Sequence, residues 1–351
     1  MRVALVANLR HPIAEPFAGG IEAHTHLLCR ELRRRGHDVT LFASDGSDPA
    51  LRAEAVCAAA DARETDTRAM RQAVYRREHA AYLALMAALP GGRFDVVHNN
   101  SLHYLPVAMA PGLGTPMVTT LHVPPFRWLA RAMRASAGPG ASRYAAVSRH
   151  MAAAWGAAAA VDRVIPNGVD LDAFHYQARA GADAYLVWHG RIVPEKGLHL
   201  AIAAARMAGL PLRIAGPVSD PAYYAGQVAP ALGAWAHHAG HLPHAALARL
   251  VGGACALLCT PMWDEPYGLV VAEALACGTP VAGFARGALP DILDATCGAL
   301  AAPGDVGGLA RAAAAARGLV RADCRRRAEA ACGVRAMAGA YEDLYGTVRV
   351  I

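Results

Sequence analysis

Of the 34 lysines and arginines in this 351-residue chain only one, Lys196, is a lysine, so a lone flexible ammonium stands out against thirty-three guanidinium groups. The eight cysteines, at 29, 57, 255, 259, 277, 297, 324 and 332, form no C-x-x-C pair and none of the spacings of a zinc site, and they read as free core thiols. Sixteen histidines are scattered without an H-E-x-x-H, so no metal site is expected. No run reaches the roughly 18 uninterrupted apolar residues needed to span a bilayer, although 55% of the chain is hydrophobic; alanine supplies most of that fraction. There is no G-x-G-x-x-G, which disfavours a nicotinamide fingerprint. The chain has fewer acids than bases, 28 against 34, for a net charge of +6. The basic runs Arg33-Arg34-Arg35 and Arg325-Arg326-Arg327 lie on expected helix faces without interleaved aromatics, which argues against a nucleic acid partner. An anionic small substrate, or at most a loose peripheral attraction to an acidic membrane surface, accounts for the same balance.

What is present is alternation. Strand-like runs at Val3–Ala7, Asp38–Phe42, Phe94–His98, Met117–Leu121, Tyr144–Val147 and Arg163–Ile165 are separated by alanine- and leucine-rich stretches of helical character. After a polar stretch ending near Asp183 the pattern restarts at Tyr185–His189, Leu212–Ala215, Trp235–Ala239, Cys255–Thr260 and Val281–Phe284. Such alternation predicts parallel α/β sheets, and the length fits two domains of about 150 to 180 residues. The boundaries are expected at 1–170, 171–330 and 331–351, the last being a C-terminal helix returning to the first domain. Helices are expected over Ile21 to Arg35, Asp61 to Leu89 and Ala328 to Tyr345, the last with Met337, Tyr341 and Leu344 at helical spacing. Met1 to Ala7 reads as a buried first strand, too short for a secretory signal, so the expected compartment is the cytoplasm.

Glu265-Pro266-Tyr267-Gly268-Leu269-Val270-Val271-Ala272-Glu273 places two carboxylates around a helix start. Pro266 suits the first helical position, and the N–H groups of Gly268, Leu269 and Val270 would then carry the positive end of the helix dipole, a seat for a diphosphate. From Pro266, Glu273 lies about 10 Å along the axis, the reach from a diphosphate to a ribose. In Gly190-Arg191-Ile192-Val193-Pro194-Glu195-Lys196-Gly197 an Arg fork and a Lys point charge follow a strand, fit to neutralise the same diphosphate. Gly19 and Gly20 form a turn between the first strand and its helix that permits close backbone approach. His122 follows a strand's carboxyl end, where a lone histidine reads first as structural and second as a ligand group. Asn167 with Gly168 reads as a turn before chemistry, and His241 with Leu242 as either a flank for a nucleotide base or a plain loop.

Taken in order, these motifs resemble glycosyltransferase family 4, through Gly19-Gly20-Ile21-Glu22, Thr120 to His122, Val164 to Asp170, Gly190-Arg191 with Glu195-Lys196-Gly197, Ala215-Gly216, and the E-x7-E segment running on to Val281. The resemblance implies the GT-B fold, two Rossmann-like domains facing each other across a cleft, the first binding acceptor and the second the donor. It implies a retaining, metal-independent enzyme without cofactor, moving a hexose-type sugar from a nucleotide diphosphate sugar, UDP by default, to a small-molecule, glycan or lipid acceptor. By that likeness Arg191 and Lys196, beside Gly190, hold the diphosphate with the amides of Leu269 and Val270, and Glu265 bonds the transferred sugar. Glu273 accepts from the ribose, Gly19 and Gly20 line the diphosphate, and His122 contacts the sugar. Where similar enzymes often read Gly-Gly-x-Pro-Glu, this chain has Gly287-Ala288-Leu289-Pro290-Asp291. Two rival readings stay open: a nucleotide-sugar epimerase of the same fold, and a GT-B protein that binds a sugar nucleotide without catalysis.

Overall fold

The apolar runs become strands paired in parallel, in two separate sheets. The computed structural model describes residues 1–60 and 67–348. It divides into two units, Met1–Gly168 with Val334–Ile351, and Val169–Gly333.

The first unit holds β1 (Arg2–Val6), β2 (Asp38–Ser44), β3 (Glu54–Cys57), β4 (Val96–Asn99), β5 (Met117–Leu121), β6 (Arg143–Ala146) and β7 (Arg163–Val164), in the order β3-β2-β1-β4-β5-β6-β7. Leu5 sits between Leu41 of β2 and His98 of β4 in register. Helices cover both faces, which is why the inner strands are near-continuously apolar rather than alternating. On one face Leu28 and Leu32 of helix Gly20–Arg34 pack with Tyr341, Leu344 and Tyr345 of helix Val334–Val348 over Val3 and Leu5. On the other, Tyr82, Leu85 and Met86 of helix Arg68–Ala88 pack over Ala4, Val6 and Val97. That helix starts where Thr67 Oγ1 accepts from the Met70 N–H at 3.1 Å. The first residues of the stretch expected to be helical from Asp61, 61–66, lie outside the described residues.

The second unit repeats the plan with β8 (Leu186–His189), β9 (Leu212–Ala215), β10 (Ala236–His238), β11 (Ala256–Cys259), β12 (Val281–Phe284) and β13 (Gly298–Ala301), ordered β10-β9-β8-β11-β12-β13. In each sheet the winding direction reverses once, between β1 and β4 and between β8 and β11. Helices leave the two central strands to opposite sides at such a point and open a crevice at their carboxyl ends. Among the described residues no helix is long and apolar enough to cross a membrane.

The final expected helix, Ala328 to Tyr345, is two helices, Arg321–Ala331 and Val334–Val348. The break falls at Cys332-Gly333 because the Cys332 carbonyl accepts from the Val169 N–H at 2.7 Å instead of from the next turn. The chain passes between units there, so the boundaries fall at 168/169 and 333/334 rather than 170/171 and 330/331. The helix Val334–Val348 belongs to the first unit. Tyr345 in it is fully buried and its hydroxyl bonds to His98. Tyr345→Ala is therefore expected to cost about 3 to 5 kcal/mol, as large buried aromatic deletions do. Urea unfolding measures it, and a loss below about 1 kcal/mol would show the helix to be dispensable to this core.

Candidate active site

β8 ends at His189 and β11 at Cys259, and the crevice between them is a small cleft open to solvent. His189, Gly190, Lys196, Cys259, Thr260, Glu265 and Val270 are among its lining residues. Three segments far apart in sequence thus meet because the strand order reverses here.

Lys196 ends a single 3-10 turn, Pro194–Lys196, and its position is pinned from below. Trp188 Nε1 donates to Thr260 Oγ1 at 3.1 Å, and that hydroxyl donates to the Lys196 carbonyl at 2.8 Å. The Lys196 ammonium donates to Glu265 Oε2 at 2.6 Å, Trp263 Nε1 donates to the same oxygen at 3.0 Å, and the ammonium sits 5.4 Å from the Trp263 ring centre. Glu265 is held through its backbone as well. Its carbonyl accepts from the Ala288 N–H at 2.9 Å, and Gly287, with φ of +59°, passes so close that a Cβ there would lie 2.3 Å from the Glu265 nitrogen. The departure at Gly287-Ala288-Leu289-Pro290-Asp291 therefore supports Glu265, with the Ala288 methyl fully buried and Asp291 exposed.

The helix carrying Glu273 begins at Leu269, not at Pro266. Gly268 is its cap residue, with φ of +96°, a left-handed conformation that favours glycine, and Pro266 serves the turn before it. Val271 N–H turns back to the Gly268 carbonyl at 2.9 Å, so the amides of Leu269 and Val270 head the helix. Glu273 then lies about 6 Å along the axis from that start, rather than about 10 Å. Its side chain is 12% exposed, and burial pushes its carboxyl up to about 7. His189 Nδ1 stands 3.6 Å from its Oε2, and burial holds that imidazole down to about 4.

The expected site residues divide between the two units. In the second, Gly190, Lys196, Glu265 and Val270 line the cleft and Gly268, Leu269 and Glu273 adjoin it in sequence, whereas Arg191, His241 and Leu242 are not in its lining, with Arg191 and His241 exposed. In the first unit, Gly20 starts helix Gly20–Arg34 and Gly19 caps it in an extended conformation, where a Cβ would meet Glu22 Oε2 at 3.2 Å. His122 is buried; its Nε2 pairs with Asn100 Oδ1 at 3.1 Å, and its ring meets that of His24 edge-on at 4.7 Å. Burial, with His24 and His98 nearby, keeps His122 well below the ordinary 6.5, so it is neutral at pH 7. Burial holds the His24 imidazole down to about 4, with buried Asn167 beside it opposing that shift, although Asn167 Oδ1 and both His24 ring nitrogens fall short of hydrogen-bond geometry.

Sequence reasoning passed over His189, Trp188, Thr260 and Trp263. His189 carried a usable signal, as the last residue of a strand before Gly190. Trp263 carried a weaker one, two residues from Glu265.

Two family models divide this chain between them. Glycosyltransferase Family 4 matches residues 18–173, and Glycosyl transferases group 1 matches residues 174–317. A glycogen synthase of Mycobacterium tuberculosis is 29% identical over 94% of this chain and 89% of its own length. Among solved structures, sucrose-phosphate synthase from Thermosynechococcus elongatus superposes with a TM-score of 0.77 at 23% identity, covering 99% of this chain and 98% of that one. Anabaena HepE in complex with UDP-glucose gives 0.74 at 17% identity, covering 99% and 100%. The fold is GT-B, and the cleft lies at a strand-order reversal, where open α/β sheets gather their ligands. The chain belongs to glycosyltransferase family 4.

Glu273 makes the free site measurable. Its folded value lies above the ordinary 4.5, so the folded chain binds that proton more tightly than the unfolded chain, and stability falls as pH rises from about 4.5 to about 7. Above pH 7 the cost approaches about 3 kcal/mol. Glu273→Gln removes it, and is expected to raise the melting temperature at pH 8 far more than at pH 5. Equal shifts at both pH values would contradict a buried, proton-retaining carboxyl.

Proposed function

We propose that the protein transfers a hexose-type sugar from a UDP-sugar to a hydroxyl of a small-molecule, glycan or lipid acceptor, with retention at the anomeric carbon and without a metal ion. One observation carries the reading: a single ammonium and the head of a helix share one cleft at the β8/β11 reversal. The likeness to a glycogen synthase and to a fold that holds UDP-glucose in HepE supports the donor class.

In sugar transfer, positive charge develops on the anomeric carbon and negative charge on the departing diphosphate. Fixed donors aimed at the latter lower the barrier because they need no reorganisation during the reaction. Lys196 and the Leu269 and Val270 amides are assigned that task, with Arg191 swinging in from the rim as a second cation. Lys196 uses one of its three N–H groups on Glu265 and retains two for phosphate. Glu265 Oε2 already accepts from two donors, which lowers its nucleophilicity and leaves Oε1 to accept from sugar hydroxyls. No protein nucleophile is assigned; the leaving phosphate takes the acceptor's proton on the face from which it departs. Glu273 accepts from the ribose. In the first unit, Gly19 and Gly20 are assigned to the diphosphate, Asn167 to donor binding, and neutral His122 to the sugar. His241 and Leu242 flank the base.

Lys196→Ala and Glu265→Ala are expected to abolish transfer from labelled UDP-sugars while circular dichroism stays unchanged. Wild-type turnover in both would remove the assignment. An isomerised sugar in place of a transferred one would replace it with an epimerase.

A further inference from the structure

We propose that His189 is a donor-binding residue that places an Nε2–H on the diphosphate, with Glu273 setting which ring nitrogen carries the proton; this rests on the donor reading of the cleft. His189 is 7% exposed, lines the cleft, and its Nε2 has no hydrogen-bond partner. A buried polar atom without a partner beside an open cleft costs stability unless a ligand completes it. The Val270 backbone, at the head of the helix assigned to the diphosphate, lies near enough to the ring to favour its protonated form, yet it gives Nε2 no bond of hydrogen-bond geometry. Its other nitrogen, Nδ1, faces Glu273 Oε2 at 3.6 Å.

A neutral imidazole has one N–H, and its neighbour decides where. When Glu273 is a carboxylate it holds the proton on Nδ1 and Nε2 presents a lone pair, which a phosphate oxygen cannot pair with. When Glu273 is protonated it donates to Nδ1, and Nε2 carries the hydrogen that a phosphate accepts. Free Glu273 changes between these forms near pH 7. The other titratable and charged groups facing the ring or the cleft are His244 from helix His244–Gly252, and Lys196, Glu265 and Cys259 across the cleft. Of these, only Glu273 contacts the ring's second nitrogen. Glu273 thereby acts twice on the donor, through the ribose directly and through the imidazole indirectly.

Calorimetric titration of the full chain with UDP tests this, using wild type, His189→Gln, His189→Leu and Lys196→Ala at about pH 6 and about pH 8.5. Glutamine keeps an N–H at the Nε2 position at every pH, and the ligand's own titration cancels in the ratio of wild type to His189→Gln. That ratio of dissociation constants is expected to rise from about one to about ten between the two pH values, the worth of one hydrogen bond to a charged group. His189→Leu is expected to weaken binding about tenfold at the lower pH. A ratio that stays constant with pH overturns the proposal, and it does so even if the leucine variant fails to fold. If Lys196→Ala loses UDP while both His189 variants bind like wild type, the histidine proposal alone fails. If wild type binds no UDP, or Lys196→Ala binds it unchanged, the donor reading falls and this inference with it.

Discussion

The ion pair between Lys196 and Glu265 is the interaction on which the site depends. Each charge is mostly removed from water, with 22% and 13% of its side chain exposed. Either alone would be costly there, because desolvation favours neutralisation of an unpartnered buried charge. Together, with Trp263 donating to the same carboxylate oxygen, they keep a cation poised at the cleft before any substrate arrives. The pair also ties the two faces of the cleft together, since Lys196 follows β8 and Glu265 follows β11. Thr260 fixes one end through the Lys196 carbonyl and the Gly287 loop fixes the other through the Glu265 carbonyl.

This arrangement explains why one lysine suffices in a chain otherwise basic through arginine. An Arg fork at residue 196 would favour bidentate engagement of Glu265 and commit two donors to it. An ammonium meets the carboxylate with one N–H and keeps two free for a second anion. Under the proposed function the carboxylate and a diphosphate would share the ammonium, while the helix head would supply amides that carry no countercharge. Behind them Glu273 and His189 form a buried polar pair, with the Glu273 carboxyl pushed up to about 7 by burial.

The parallel sheets were legible because strands covered by helices on both faces read as short continuous apolar runs; Met117–Leu121, Leu212–Ala215 and Val281–Phe284 match to the residue. β3 and β13 escaped notice because Glu-Ala-Val-Cys and Gly-Ala-Leu-Ala lack branched or aromatic residues in number, and alanine carries no periodic signal in so alanine-rich a chain. The site was legible as motifs but not as contacts. Pro266 pointed to a helix start three residues, less than one turn, too early, since nothing local says that Gly268 takes the left-handed cap. The Lys196–Glu265 bond spans 69 positions and the His189–Glu273 approach spans 84, so both arise only when the sheet brings the segments together. Cys332-Gly333 reads as helix in sequence and breaks only because Val169 claims the Cys332 carbonyl.

The central claim is that one ammonium and one helix head hold a single pyrophosphate. A crystal structure of the protein with bound UDP tests it most directly. The account predicts phosphate oxygens within hydrogen-bond distance of the Leu269 or Val270 amide and of Lys196 Nζ, with Glu265 still at the cleft wall. A diphosphate bound elsewhere, with Lys196 engaged only by Glu265, would contradict it.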